Sequence, residues 1–421
     1  MYWLLDTLLR RVVETGRLDV VDADGRRHAY GTGRASPVVM RLHDHATETR
    51  LGLDPEMALG ESYMSGALTV EGGDIYDLLA LLQRNVGCDV VPGWAGLLQR
   101  VRLALRTTLA RNTPRRSRTN VEHHYDIDDR IYALFLDGAR QYSCGYFPRP
   151  GMDLEAAQIA KMDHIAAKLA LAPGRRVLDI GSGWGGLACH LAETHEASVT
   201  GITLSPSQLD RARARAAGKG LAGKVSFALE DYRQTQGPYE RIVSVGMLEH
   251  VGAKALGAYF RQIARLLTQD GIALVHTIVR SDGPGITNPF VARYIFPGGY
   301  SPALSELMPA IERAGLMVSD IEILRLHYAE TLRHWRARFT ARREEAVRLK
   351  GEPFCRMWEF YLAGAEAGFR HQGLVVAQIQ LTRSIDALPI VRDYMVDGER
   401  ALAARRWRAA EDGRRWPLAG E

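Results

Sequence analysis

The run Val177-Leu178-Asp179-Ile180-Gly181-Ser182-Gly183-Trp184-Gly185-Gly186 sets a glycine-rich turn between a β-prone segment and a helical one. Glycine lets backbone amides approach a ligand closely and takes dihedrals that a side chain resists. A turn of this kind at a strand-to-helix junction therefore suits a nucleotide-like ligand. The next β-prone segment ends in Gly201-Ile202-Thr203-Leu204-Ser205, with no Asp or Glu where a dinucleotide site places its ribose ligand. Asp179, closing the first strand, suits a loop-orienting role or the methionyl ammonium of S-adenosylmethionine. Gln208 suits the ribose hydroxyls and Asp231 the adenine edge. Together the three favour S-adenosylmethionine over a nicotinamide dinucleotide, although Gln208 also reads as a solvated first-turn residue and Asp231 as a turn or cap residue.

Such a turn needs a sheet beneath it. From Arg175 strands and helices alternate: a strand at Arg175–Ile180 with its helix from Gly185 to Leu191, and a strand at Ala197–Leu204 with its helix from Pro206 to Ala217. Further strands are expected at Val225–Ala228, Glu240–Val245, Gly271–Thr277 and Val375–Leu381. Helical patterns at 303–314, 330–348 and 354–369 precede the last strand. The alternation predicts an α/β fold whose parallel sheet carries helices on both faces. Residues 1–90 read as a small mixed domain with a leading amphipathic helix, β-prone runs at Leu18–Val21 and Val38–Leu42, and a helix from Ile75 to Leu82. Asp22, Asp24 and Gly25 mark one turn between the two runs, and Gly31 and Gly33 another. Residues 91–119 form a basic connector that Pro114 interrupts. Residues 120–395 form the catalytic domain, and 396–421 a flexible tail.

The 421 residues are 46% apolar, enough for a large core and a second unit. No stretch reaches the roughly 18 apolar residues that a membrane-spanning helix needs, and the start does not read as a signal peptide, so a cytoplasmic protein is expected. The four cysteines are far apart and form no CxxC or Cys/His cluster, which argues against a structural zinc site or a disulfide scaffold. The +5 charge is uneven: seven arginines and no acid fall between Val91 and Asn120. On composition this block reads as a solvated linker or as a surface for polyanions. Interleaved leucines and valines suit a lipid interface better than a nucleic-acid groove, and no nucleic-acid motif accompanies them.

Several segments are more specific than the fold. Gly60-Glu61-Ser62-Tyr63-Met64, His124-Tyr125-Asp126, Tyr142-Ser143-Cys144-Gly145-Tyr146-Phe147, Gly246-Met247-Leu248-Glu249-His250-Val251-Gly252, His276-Thr277-Ile278 and Tyr294-Ile295-Phe296-Pro297, with the glycine-rich turn, resemble cyclopropane-fatty-acyl-phospholipid synthases and their mycolic-acid relatives over most of the chain. The resemblance implies a Rossmann-like class I S-adenosylmethionine-dependent methyltransferase fold with a helical acyl-slot cover. It also implies transfer of a one-carbon unit to a cis double bond of a phospholipid acyl chain, through a carbocation. Carried over with it are cofactor contacts at Tyr125, Tyr142, Ser143, Asp179, Gly181, Gly183, Trp184, Thr203, Gln208 and Asp231. Also implied are a homodimer, no nucleic-acid partner, and peripheral association with the inner membrane.

An alkene is a weak nucleophile, and the cation it becomes needs a dry slot and an oxygen base. The resemblance implies that this base is bicarbonate, held by Cys144, Glu249, His276, the Ile278 backbone and Tyr328. On spacing alone, Cys144 reads equally as a small buried hydrophobe, Glu249 as a helix-start acid, His276 as a core histidine and Tyr328 as a packed aromatic. The stretch Gly283–Pro302 reads as a lid or slot wall. Ser182, Gly145, Leu248 and Phe290 depart from residues frequent in the family, which leaves the shape of the slot open. An enzyme of the same group that forms a methyl-branched or methylene-bearing chain is the leading alternative.

Overall fold

The computed structural model describes residues 2–33, 36–86 and 128–411. The basic connector, Tyr125 and residues 412–421 lie outside them. The chain divides into two compact units, one drawn from Met1–Leu109, Gly285–Pro297 and Ala329–Leu374, the other from Ala110–Pro284, Gly298–Tyr328 and Val375–Glu421.

The first unit is built on a four-stranded sheet in the order β2-β1-β3-β4, with β1 at Leu18–Val21, β2 at Arg27–Tyr30, β3 at Val38–Leu42 and β4 at Leu68–Glu71. The Asp22/Gly25 turn forms as expected: Gly25 has φ +80° and donates its N–H to the Asp22 carbonyl at 2.9 Å. The leading helix Tyr2–Val12 buries Leu5, Leu8, Leu9 and Val12, one apolar stripe at helical spacing. Asp74 and Asp77 form a reciprocal capping box at the start of helix Ile75–Asn85.

The unit is not limited to the first 90 residues. Helix Glu352–His371 packs on helices Pro55–Ser65 and Ile75–Asn85, and Gln83 Nε2 donates to the Gly364 carbonyl at 3.2 Å. Phe290, in the short helix Pro289–Tyr294, is wholly buried against Phe360 at 4.8 Å between ring centroids. The Gly283–Pro302 stretch thus gives up several of its residues to this core.

The second unit holds a seven-stranded sheet in the order β10-β11-β9-β8-β5-β6-β7. Its strands are β5 (Arg176–Ile180), β6 (Ser198–Thr203), β7 (Val225–Leu229), β8 (Tyr239–Val245), β9 (Leu267–Arg280), β10 (Met317–Leu324) and β11 (Leu374–Thr382). Strands β5 to β9 pair in parallel with one another, and β10 runs antiparallel to β11. Side chains alternate across β5: Leu178 and Ile180 join one apolar cluster and Val177 another, so the sheet is covered on both faces. From β5 the order runs outward through β6 and β7 in one direction and through β8 and β9 in the other. This reversal opens a crevice at the strand carboxyl ends, where open α/β sheets bind ligands. The fold is the expected Rossmann-like class I methyltransferase architecture.

One expectation is corrected. Of the 396–421 stretch expected as a flexible tail, residues 396–411 belong to a helix, Asp393–Glu411, with Met395 and Leu402 buried. Its Arg406 pairs with Asp163 of helix Leu154–Lys168.

Candidate active site

The glycine-rich turn leaves β5 at Ile180 and enters helix Gly186–His195. Gly181 has φ +83°, a region that side chains avoid, and the Gly181 and Ser182 amides both donate to the Ile202 carbonyl at 3.0 and 2.9 Å. Gly186 is required for a different reason: a Cβ there would sit 2.2 Å from the Ala139 carbonyl oxygen. That close approach lays segment 137–144 over the turn.

A cleft opens at this point. Tyr142, Ser143, Asp179, Gly181, Gly183, Trp184, Thr203, Gln208 and Asp231 all line it. The Thr203 hydroxyl donates to Gln208 Oε1 at 2.9 Å, so Gln208 is held at the mouth of β6 and is buried, not solvated. Asp231 is paired with Arg233, whose Nε lies 2.8 Å from it. Trp184 donates its indole N–H to Asp129 at 3.1 Å. Asp179 is buried, and its Oδ2 has no hydrogen-bond partner. Burial pushes this carboxyl up to about 7, against the pull of Lys161. A buried carboxylate oxygen without a partner is costly, and an incoming ammonium would satisfy it.

A second cluster adjoins β8 and β9. Glu249 lies in the one-turn helix Leu248–His250 that follows β8, and its Oε1 accepts the Ile278 N–H at 2.7 Å. Its Oε2 is buried without a partner. Burial pushes Glu249 up to about 6, opposed by the Ile278 amide. His276 and Ile278, two apart on β9, share a face of the sheet. His276 is buried and, through desolvation first, held well below its ordinary value, so it is a neutral imidazole. Gln378 Nε2 lies 3.1 Å from its Nδ1, which leaves Nε2 as the protonated nitrogen.

Cys144 is buried, its Sγ 3.2 Å from the Gly145 carbonyl oxygen. Tyr328 is buried at the start of helix His327–Ala341. The two segments are tied together, because the Phe147 N–H donates to His327 Nδ1 at 2.9 Å and Tyr146 stacks on the His327 ring. Glu249 and Ile278 thus meet directly, with His276 on the same strand, while the segments that carry Cys144 and Tyr328 are joined through Tyr146, Phe147 and His327. The expected role of the Ile278 backbone changes in one respect: a single N–H is already committed to Glu249, so it anchors that carboxyl.

Sequence reasoning missed Gln141, Lys161, Gln378 and Arg233. The signal for Lys161 was present, since Ala-Gln-Ile-Ala-Lys-Met-Asp-His-Ile-Ala-Ala-Lys places it among apolar residues in a segment of strong helix formers.

A family model described as mycolic acid cyclopropane synthetase matches residues 112–379, and a domain of unknown function matches residues 4–88. The chain is 35% identical over 396 residues to the tuberculostearic acid methyltransferase UfaA1 of Mycobacterium tuberculosis, covering 90% of this chain and 91% of that protein. It is 33% identical over 352 residues to the cyclopropane-fatty-acyl-phospholipid synthase of Escherichia coli, covering 84% of this chain and 90% of that protein. Among solved structures, the mycolic acid cyclopropane synthase CmaA1 complexed with SAH and CTAB aligns with a TM-score of 0.60 and 34% identity, over 63% of this chain and 97% of that one.

Proposed function

Because the chain belongs to the mycolic acid cyclopropane synthetase family, we propose that it is an S-adenosylmethionine-dependent cyclopropane-fatty-acyl-phospholipid synthase, acting on a cis double bond of a phospholipid acyl chain. The observation that carries this reading is the pair of unsatisfied carboxylate oxygens, Asp179 Oδ2 in the cofactor cleft and Oε2 of Glu249, whose other oxygen is bound to Ile278 of the strand that bears His276.

When bound, S-adenosylmethionine supplies the one-carbon unit and bicarbonate the oxygen base. Asp179 holds the methionyl ammonium, Gln208 the ribose and Asp231 the adenine edge, and Tyr142 and Ser143 close the methionyl side. Glu249 and the His276 Nε2–H hold the ion with Cys144 and Tyr328. Two full negative charges would repel; a Glu249 carboxyl raised to about 6 is able to share a proton and so removes the objection. Ile278 keeps the Glu249 carboxyl from turning. Burial of His276, Cys144 and Tyr328 supports a dry site, in which a carbocation is protected from water.

No described helix is long and apolar enough to cross a membrane. Access to acyl chains is proposed to come from peripheral association with the inner membrane through arginines of residues 91–119, each contributing roughly 1 kcal/mol at an anionic surface. A homodimer and the absence of a nucleic-acid partner complete this reading.

The test is product analysis with monounsaturated phospholipid vesicles and S-adenosylmethionine. A ring-containing acyl chain is expected. A methyl-branched or methylene-bearing chain would replace the ring assignment with a fatty-acyl methyltransferase of the same group, and no S-adenosylmethionine-dependent product would defeat the reading.

A further inference from the structure

Lys161 takes no part in the roles above, yet it is bonded to two residues of the cofactor cleft. Its side chain is 0% exposed, and its Nζ donates to Ser143 Oγ at 2.9 Å and to Gln141 Oε1. Both acceptors line the cofactor cleft. The segment carrying them is fixed also by Asp137, which accepts the N–H groups of Ala139 and Gln141 at 2.9 and 2.8 Å. The charged and titratable neighbours of Lys161 are Asp137, Cys144 and Asp179, and His276 also feels its charge. Those of Asp179 are Lys161 and Cys189. A buried ammonium is costly unless it is paired, and here its bonded partners are neutral oxygens, so its charge is free to act on the carboxylates around it.

We propose that Lys161 is a positioning residue for the methionyl end of the cofactor: it pins Gln141 and Ser143 against the cleft, and its charge keeps the buried Asp179 carboxylate ionised to receive the ammonium. This rests on the reading of the cleft as an S-adenosylmethionine site. Electrostatics agrees with the geometry. Burial pushes Lys161 down to about 8, held up by Asp137, Cys144 and Asp179, so it is charged at neutral pH, while Asp179 is raised to about 7 by burial with Lys161 as its one opposing influence. Without the lysine, Asp179 rises further and is protonated when the ammonium arrives.

The experiment is calorimetric titration of the full chain with S-adenosylhomocysteine and, in parallel, with methylthioadenosine, which keeps the adenosine and sulfur but lacks the amino-acid end. Lys161→Met is expected to weaken the first ligand about tenfold or more at pH 7.5 and the second less than about twofold. The pH below which S-adenosylhomocysteine affinity falls should also move upward by about one unit. Should Lys161→Met fail to fold, Lys161→Gln retains N–H donors for Ser143 without the charge, and the same upward displacement is expected. A variant that binds S-adenosylhomocysteine with the wild-type affinity and pH profile overturns the proposal, as does equal loss of both ligands. A wild-type chain that binds neither ligand defeats the cofactor reading itself.

Discussion

Glu249 uses its two carboxylate oxygens differently: Oε1 accepts the Ile278 N–H at 2.7 Å, whereas Oε2 is buried with no hydrogen-bond partner. One oxygen is fixed by backbone that cannot rotate away, and the other is a buried acceptor still to be satisfied. Glu249→Gln preserves size but not charge. Turnover should fall by about 10²-fold to 10⁴-fold, with S-adenosylhomocysteine affinity nearly unchanged. Since burial raises the acid to about 6 and the ion is held through a proton shared with Glu249, wild-type turnover should fall as pH rises through that value and the shared proton is lost, and the variant, which cannot ionise, should lose this limb. Equal losses in turnover and cofactor affinity would place Glu249 in cofactor binding instead.

The bicarbonate assignment has its own check. Turnover measured after thorough removal of dissolved carbonate should collapse and return on adding it back, and His276→Ala should weaken that rescue because the Nε2–H is lost. Unchanged turnover in carbonate-free solution would rule out the ion as the base.

Asp179→Asn should weaken S-adenosylhomocysteine by about 10-fold to 100-fold, the scale of a charge-assisted hydrogen bond. The sign with pH follows from a carboxyl raised to about 7: the wild-type affinity is highest above that pH and falls below it as the carboxylate is protonated. A pH-independent wild-type affinity between pH 6 and 8 would contradict the ammonium contact.

The parts legible in the sequence were those whose signal is local. Val177 to Gly186 announces a strand, a turn and a helix through alternation and glycine alone, and the cofactor-lining residues follow because strand ends are where such sheets bind. Strand β10 was legible in the alternation Asp320-Ile321-Glu322-Ile323 but escaped notice, an edge strand whose one partner among the described residues, β11, is remote in sequence. Helix Asp393–Glu411 escaped because its apolar anchors, Met395 and Leu402, are sparse, and its ionic partner Asp163 is remote in sequence. The extent of the first unit was invisible for the same reason: nothing local in Glu352–His371 says that it packs on Pro55–Ser65.

Gly60 in the Gly-Glu-Ser-Tyr-Met segment is explained by that packing. A Cβ at this position would lie 2.4 Å from Phe290 Cδ2 in the same unit. Gly60→Ala should therefore cost about 1 to 3 kcal/mol as overpacking, seen as a lower midpoint of thermal unfolding. Pairing it with Phe290→Leu should recover part of the loss. A Gly60→Ala protein as stable as the wild type would show that the Phe290 ring moves aside freely.

The carboxy-terminal helix is held by charges whose balance depends on pH. His164 of helix Leu154–Lys168 lies between Glu399, on that helix, and Glu322 of β10 at 2.6 Å, with Lys168 also on Glu322 at 2.5 Å and Tyr146 stacked on the His164 ring. Burial alone would lower His164, but the bonds to Glu322 and Glu399 outweigh it and raise the imidazole above its ordinary 6.5. Burial likewise opposes ionisation of Glu322, and His164 and Lys168 overcome it, holding the acid down at about 2. The raised His164 contributes stability that is fully present below pH 6.5 and is lost as pH rises through its folded value. The depressed Glu322 contributes stability present above its ordinary 4.5 and lost as pH falls through about 2. Docking of helix Asp393–Glu411 should consequently be firmest between about pH 4.5 and 6.5 and loosen on the alkaline side. Thermal unfolding midpoints measured from pH 5 to pH 9 should decline above neutrality in the wild type, and His164→Asn, which removes the titrating group, should flatten that decline. Identical profiles for the two proteins would mean that Arg406 and Asp163 hold the helix without help from the histidine.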